Sequence, residues 1–125
     1  MTRAPLILAA VAALMGAAGV ALAAAGVHEN GGELAERAAL FLLLHAAAAL
    51  AIAAHVRIAI GSARLLVIVG FVMEAGAILF SAELAIHVFT GERIFAFAAP
   101  LGGTTMILSW VALAIVFASA SWREI

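Results

Sequence analysis

The chain has 125 residues, 68% of them hydrophobic and 10% charged, with a net charge of −1 and a mean hydropathy of +1.28. A soluble domain holds about 45–50% apolar and about 25% charged residues, so the composition excludes an ordinary water-soluble fold and makes lipid the solvent for most of the surface. The charge balance excludes a basic nucleic-acid footprint. With no cysteine, disulfides, thiolate catalysis and cysteine metal sites are excluded as well.

Four apolar runs follow one another, each near the roughly twenty residues a spanning helix needs. They predict helices over about residues 4–27, 38–60, 65–89 and 101–120 of one transmembrane domain, residues 1–125. The short polar pieces "HENGGELAER", "RIAIGSAR" and "TGERIFAFAAP" separate them. Connections this short make neighbouring helices antiparallel. The expected fold is therefore all-α, an integral membrane four-helix bundle running up-down-up-down. Arg3, Arg57, Arg64 and Arg123 fall on the side of the termini, whereas only Arg37 and Arg93 fall on the other, among Glu29, Glu33, Glu36 and Glu92. Counting positive charge inside places both termini on the cytoplasmic side of a bacterial inner membrane or its organelle equivalent.

The first run begins after Arg3 and contains "Ala21-Leu22-Ala23", which also fits a secretory leader. Its apolar stretch exceeds the roughly 7–15 residues of a leader's hydrophobic region, so a spanning helix is expected. Small residues in this run (Gly16, Gly19, Ala23, Gly26) and in "HAAAALAIAAH" of the second suit close helix packing, within the chain or in an oligomer seam.

The third run carries Glu74, Glu83 and His87. Two charged side chains cost roughly 5–7 kcal/mol at most on the insertion scale, and some fourteen Leu, Ile, Val and Phe residues return about 4–8 kcal/mol. The run still inserts. At about 100° per residue, Glu83 and His87 share one face a turn apart, while Glu74 lies on the opposite face. His45, in the second run, is at about the depth of Glu74 and is its expected partner. Glu83 and His87 lie toward the outer end, near His28, Arg37 and Arg93. Two polar clusters are thus expected, one at mid-membrane and one near the outer interface. For the outer pair the readings are a proton relay, a metal site, a contact to a cofactor or lipid headgroup, or a buried structural pair meeting a partner helix.

His45 and His55 share one helix and point about 80° apart, so they do not form the facing pair that haem requires. A lone ExxxH supplies two ligands where zinc takes three or four. No metal or cofactor is expected. Pro100, Gly102 and Gly103 read as a flexible turn and close entry into the fourth helix. An anion site at that helix start, with Arg93 nearby, is the alternative. No GxSxG, Walker loop or GxGxxG is present, so an enzyme is not expected.

Three segments in order resemble the domain-of-unknown-function 423 family of small membrane proteins, the group that includes transmembrane protein 256. "GAAGVALAAAGVHE" resembles its first helix ending in Gly-Ala-Phe-Gly-Ala-His, and "ERAALFLLLHAAAALA" resembles its Tyr-x-x-x-His-Ala-Leu-Ala-Leu segment. "GAILFSAELAIHVFTGERIFAFAAPLGG" resembles Gly-x-x-Leu-Phe-Ser-Gly-Ser-Leu-Tyr, then Leu-Thr-Gly, then Thr-Pro-Leu-Gly-Gly. The likeness places the family histidines at His28 and His45 and implies four membrane helices with no established activity. This chain departs from it at Phe41, Glu83, His87 and Ala99, where the family pattern has tyrosine, a hydroxyl, an apolar residue and threonine. Glu83 and His87 therefore read as a local specialisation. The expected function is a non-enzymatic accessory or assembly subunit of a larger bioenergetic membrane complex, with membrane lipids and other subunits, or copies of itself, as partners. The alternatives are a proton- or small-solute-handling transporter and a lipid- or quinone-binding protein.

Overall fold

A computed structural model describes residues 3–28, 32–58 and 62–123. Its helices are α1 (Ala4–His28), α2 (Gly32–Val56), α3 (Ala63–Thr90) and α4 (Ala98–Arg123). All four are long and apolar enough to cross a membrane. At 1.5 Å per residue, the two shortest, 25 residues each, extend about 37 Å and exceed a hydrocarbon core of about 30 Å.

The helix ends show where side-chain chemistry overrides hydropathy. α2 starts six residues before the expected residue 38, because Glu33 and Arg37 pair at 2.9 Å across one exposed turn and so favour helix without burial. It closes at Val56, and Arg57 and Ile58 turn back onto the Ala54 and His55 carbonyls. The expected continuation through residues 59 and 60 lies outside the described residues. α3 stops at Gly91, whose φ of 73° lets its N–H return to the His87 carbonyl at 2.9 Å, a left-handed cap that glycine adopts without strain. α4 begins at Ala98 instead of residue 101. Pro100, Gly102 and Gly103 are accordingly helical and do not form the expected turn. A proline in the first turn lacks only an N–H that would have had no intrahelical partner.

Backbone contacts join α1 to α2, α2 to α3, α3 to α4 and, more sparingly, α1 to α3; α1 and α4 make none among the described residues. Gly19 faces Leu43 and Gly26 faces Ala35, the register of an antiparallel pair. Across α2 and α3, the Ser81 hydroxyl donates to the Ala38 carbonyl at 2.9 Å, and Phe41 packs on Phe80 with centroids 5.0 Å apart. Leu8 of α1 lies against Gly70 of α3. In the most apolar stretch of each helix, 44% of residues are buried in α2 and α3 but only 22% in α1 and 28% in α4. α2 and α3 are therefore the inner pair. One core cluster gathers Leu8, Ile52, Leu66, Met73 and Leu113; a second joins Met15, Leu42, Ala46, Ala77 and Met106.

The tightest crossing is between α3 and α4. A methyl group at Gly102 would stand 2.7 Å from both the Gly76 carbonyl oxygen and the Phe80 nitrogen. Both are backbone atoms that cannot swing aside. The close entry read from Pro100-Leu101-Gly102-Gly103 is present, but inside the helix. Gly103, by contrast, would bring its methyl no nearer than 3.8 Å to the Phe80 ring.

Gly102→Ala is expected to destabilise the detergent-solubilised protein by about 1–3 kcal/mol, the usual cost of overpacking. Gly103→Ala, gaining helix propensity without a clash, is expected to be neutral or stabilising by up to about 1 kcal/mol. Denaturant unfolding followed by circular dichroism compares them; equal effects would contradict the crossing.

Candidate functional site

α3 is the only helix with a buried carboxyl on each of two faces, among the described residues. Gly70, Glu74, Ala77 and Ser81 follow at spacings that keep one helix face, and Gly70 meets Leu8 and Ile52 while Ser81 meets Ala38. Glu74 thus belongs to the face packed on α1 and α2. Gly76 and Phe80 meet α4, and Glu83, one turn on, belongs to that side. The opposite placement expected from nine-residue spacing is what packing turns into two separate burial sites.

At mid-bundle, His45 is 2% exposed. Its Nδ1 lies 2.7 Å from the Phe41 carbonyl oxygen, and the Trp110 indole N–H donates to its Nε2 at 3.1 Å. A carbonyl only accepts and an indole N–H only donates. The imidazole must therefore carry its proton on Nδ1, donate to Phe41 and accept from Trp110. Its ring also stacks on Phe41 at 15° and meets the Trp110 ring edge-on. Both nitrogens are occupied. His45 consequently does not pair with Glu74, as depth alone had suggested, and has no nitrogen left for a metal.

The Glu74 side chain is 2% exposed, and neither carboxyl oxygen has a hydrogen-bond partner. Its neighbours along that face of α3 pack on Leu8, Ile52, Met15 and Ala46. An unsatisfied buried acceptor is costly, and such a group in a folded bundle calls for a reason.

The outer cluster is assembled differently from the sequence expectation. Glu83, 4% exposed, accepts the Ile94 backbone N–H on Oε2 at 2.7 Å, fastening the loop of residues 91–97 to α3. It does not hydrogen-bond to His87 among the described residues; its carboxyl turns to the loop. Glu83, His87 and Arg93 nevertheless border one cavity of about 240 Å³ with Leu34, Leu84 and Ala99, and the His87 Nδ1 is buried without a partner. Arg37, bound to Glu33 on the surface, and His28, exposed at the end of α1, stay outside that cavity. His55 packs edge-on against Phe117 at 4.8 Å.

Sequence reading missed Trp110, the Phe41 carbonyl and the Ile94 N–H as partners. Trp110 had a usable signal, since an indole N–H inside an apolar span seeks an acceptor. A third feature is apolar. Val11, Leu14 and Ala18 of α1 and Ile78, Ala82 and Ala85 of α3, with Leu42 of α2, line a groove of about 480 Å³.

Glu74→Leu is expected to stabilise the bundle by about 1–3 kcal/mol, because it removes unpaired buried oxygens at similar volume. Unfolding of the purified protein in detergent measures this. A loss of stability instead would mean that the carboxyl is bonded in the membrane.

No curated protein and no solved structure matches the chain significantly. The family described as "Protein of unknown function (DUF423)" matches residues 15–103. That span runs from mid-α1 to the α4 entry and includes His45, Glu74 and the Glu83–Arg93 cavity, but ends before Trp110. Covering well over half of the 125 residues, this match makes the chain a member of the DUF423 family.

Proposed function

We propose that the protein is a non-enzymatic, multi-pass membrane protein that serves as an accessory or assembly subunit of a larger bioenergetic complex. In this reading its helices run up-down-up-down in a bacterial inner membrane or organelle equivalent, with Arg3, Arg57, Arg64 and Arg123 holding the termini on the cytoplasmic side.

The observation that carries it is the apolar groove between α1 and α3, which α4 leaves uncovered. Lipid gives no hydrophobic drive for helices to associate; van der Waals packing does, and small side chains permit the approach. Ala18, Ala82 and Ala85 supply such walls, shaped to receive a helix from another subunit. The polar side chains support the non-enzymatic part. His45 is saturated by Phe41 and Trp110, and Glu83 is engaged by a backbone N–H. Neither hydrogen-bonds to a hydroxyl side chain among the described residues.

Glu74 favours a second reading, proton or small-solute handling, because its carboxyl is buried without a partner. Against it, a relay needs titratable groups at successive depths, and Glu74 and Glu83 occupy opposite faces of α3. A lipid or quinone tail in the groove is the third.

Native mass spectrometry of the chain extracted from its own membranes in mild detergent tests the proposal. A second membrane polypeptide is expected at fixed stoichiometry, and Ala82→Trp, which fills the groove, is expected to release it while the helices remain. A lone monomer or homo-oligomer would contradict the subunit role. Proton flux in liposomes that Glu74→Gln abolishes would replace it with the second reading.

A further inference from the structure

The cavity bordered by Glu83, His87 and Arg93 combines both signs of charge at the end of the bundle. Three observations bear on what it holds. Glu83 is buried but bonded through Oε2 alone, to Ile94. Arg93, which borders the cavity with His87, forms no ion pair among the described residues. The loop that carries Arg93 exposes Ile94, Phe95 and Phe97, large apolar side chains that in water would be a liability and at a bilayer surface enter the acyl boundary. Glu83 lies seven residues before the end of α3, roughly 10 Å along the axis, and its bond to Ile94 brings that loop to the same level.

We propose that this cavity binds the phosphoethanolamine headgroup of a membrane phospholipid, with the ammonium on Glu83 and the phosphate on Arg93. A primary ammonium brings three donors to the unengaged carboxyl oxygen, and a guanidinium grips phosphate with paired N–H donors. The volume of about 240 Å³ is several times the roughly 30 Å³ of one water, room enough for such a group. Leu34, Leu84 and Ala99 complete the wall with apolar side chains. Other headgroups fit less well. Glycerol offers Glu83 only neutral hydroxyls, and a quaternary ammonium has no N–H to donate. The first leaves the buried carboxylate without a counter-charge, and the second leaves its free oxygen without a donor.

The full-length protein in mild detergent, mixed with equal amounts of phosphatidylethanolamine, phosphatidylglycerol and phosphatidylcholine, gives the test by native mass spectrometry. Phosphatidylethanolamine is expected to be retained about tenfold over the other two, the scale of one charge-assisted hydrogen bond. Glu83→Gln is expected to abolish this preference while circular dichroism is unchanged, since its amide oxygen still accepts the Ile94 N–H. Arg93→Gln is expected to weaken retention about tenfold. Equal retention of the three lipids, or a preference that survives Glu83→Gln, would overturn the proposal. Displacement of the lipid by equimolar glycerophosphoethanolamine would overturn the lipid source in favour of a soluble ligand.

Discussion

Every polar group carried into an apolar solvent must find its partner within the protein, and α3 carries the heaviest load of them. The helix is packed on two sides, and this answers Ser81 and Glu83 but not Glu74. The face bearing Gly70, Glu74, Ala77 and Ser81 meets α1 and α2, and the face bearing Gly76, Phe80 and Glu83 meets α4 and the loop beyond it. Because Gly76 and Gly102 allow the α3 and α4 backbones to touch, Trp110 reaches past α3 to His45 on α2. Loss of the close crossing would therefore separate a hydrogen bond between helices that share no backbone contact.

The polar groups sort by how completely they are answered. His45 is closed on both nitrogens, so its role is to join α2 to α4 through a donor and an acceptor that fix its tautomer. Glu83 is half engaged and opens toward a cavity that also holds an arginine. Glu74 is not answered at all. This gradient separates a structural link, a candidate ligand site and a group whose burial has a cost without a visible return. It also gives the two glutamates of one helix different meanings.

Much of the architecture was legible in the sequence because membrane thickness sets helix length. The first span, expected over 4–27, is found as Ala4–His28. The starts of α2 and α4 were not legible from hydropathy. Glu33 and Arg37 are polar yet pair on a helical turn, and Pro100 is a helix breaker everywhere except the first turn, where it stands. Of the polar groups, the nine-residue spacing of Glu74 and Glu83 sufficed to place them on opposite faces. Depth matching failed for His45 because a partner is chosen by azimuth as well as depth, and the Phe41 carbonyl and the Trp110 indole take both of its nitrogens. The Glu83 contact was invisible for a different reason: its donor is a backbone N–H, which leaves no mark in the residue pattern.

The central claim is that the two faces of α3 hold independent polar sites. A double-mutant cycle on Glu74→Gln and Glu83→Gln, read by unfolding in one mild detergent, tests it most directly. Independent sites give stability changes that add to within about 0.5 kcal/mol. A coupling of about 1 kcal/mol or more would mean that the two carboxyls share one network and would contradict the division of α3.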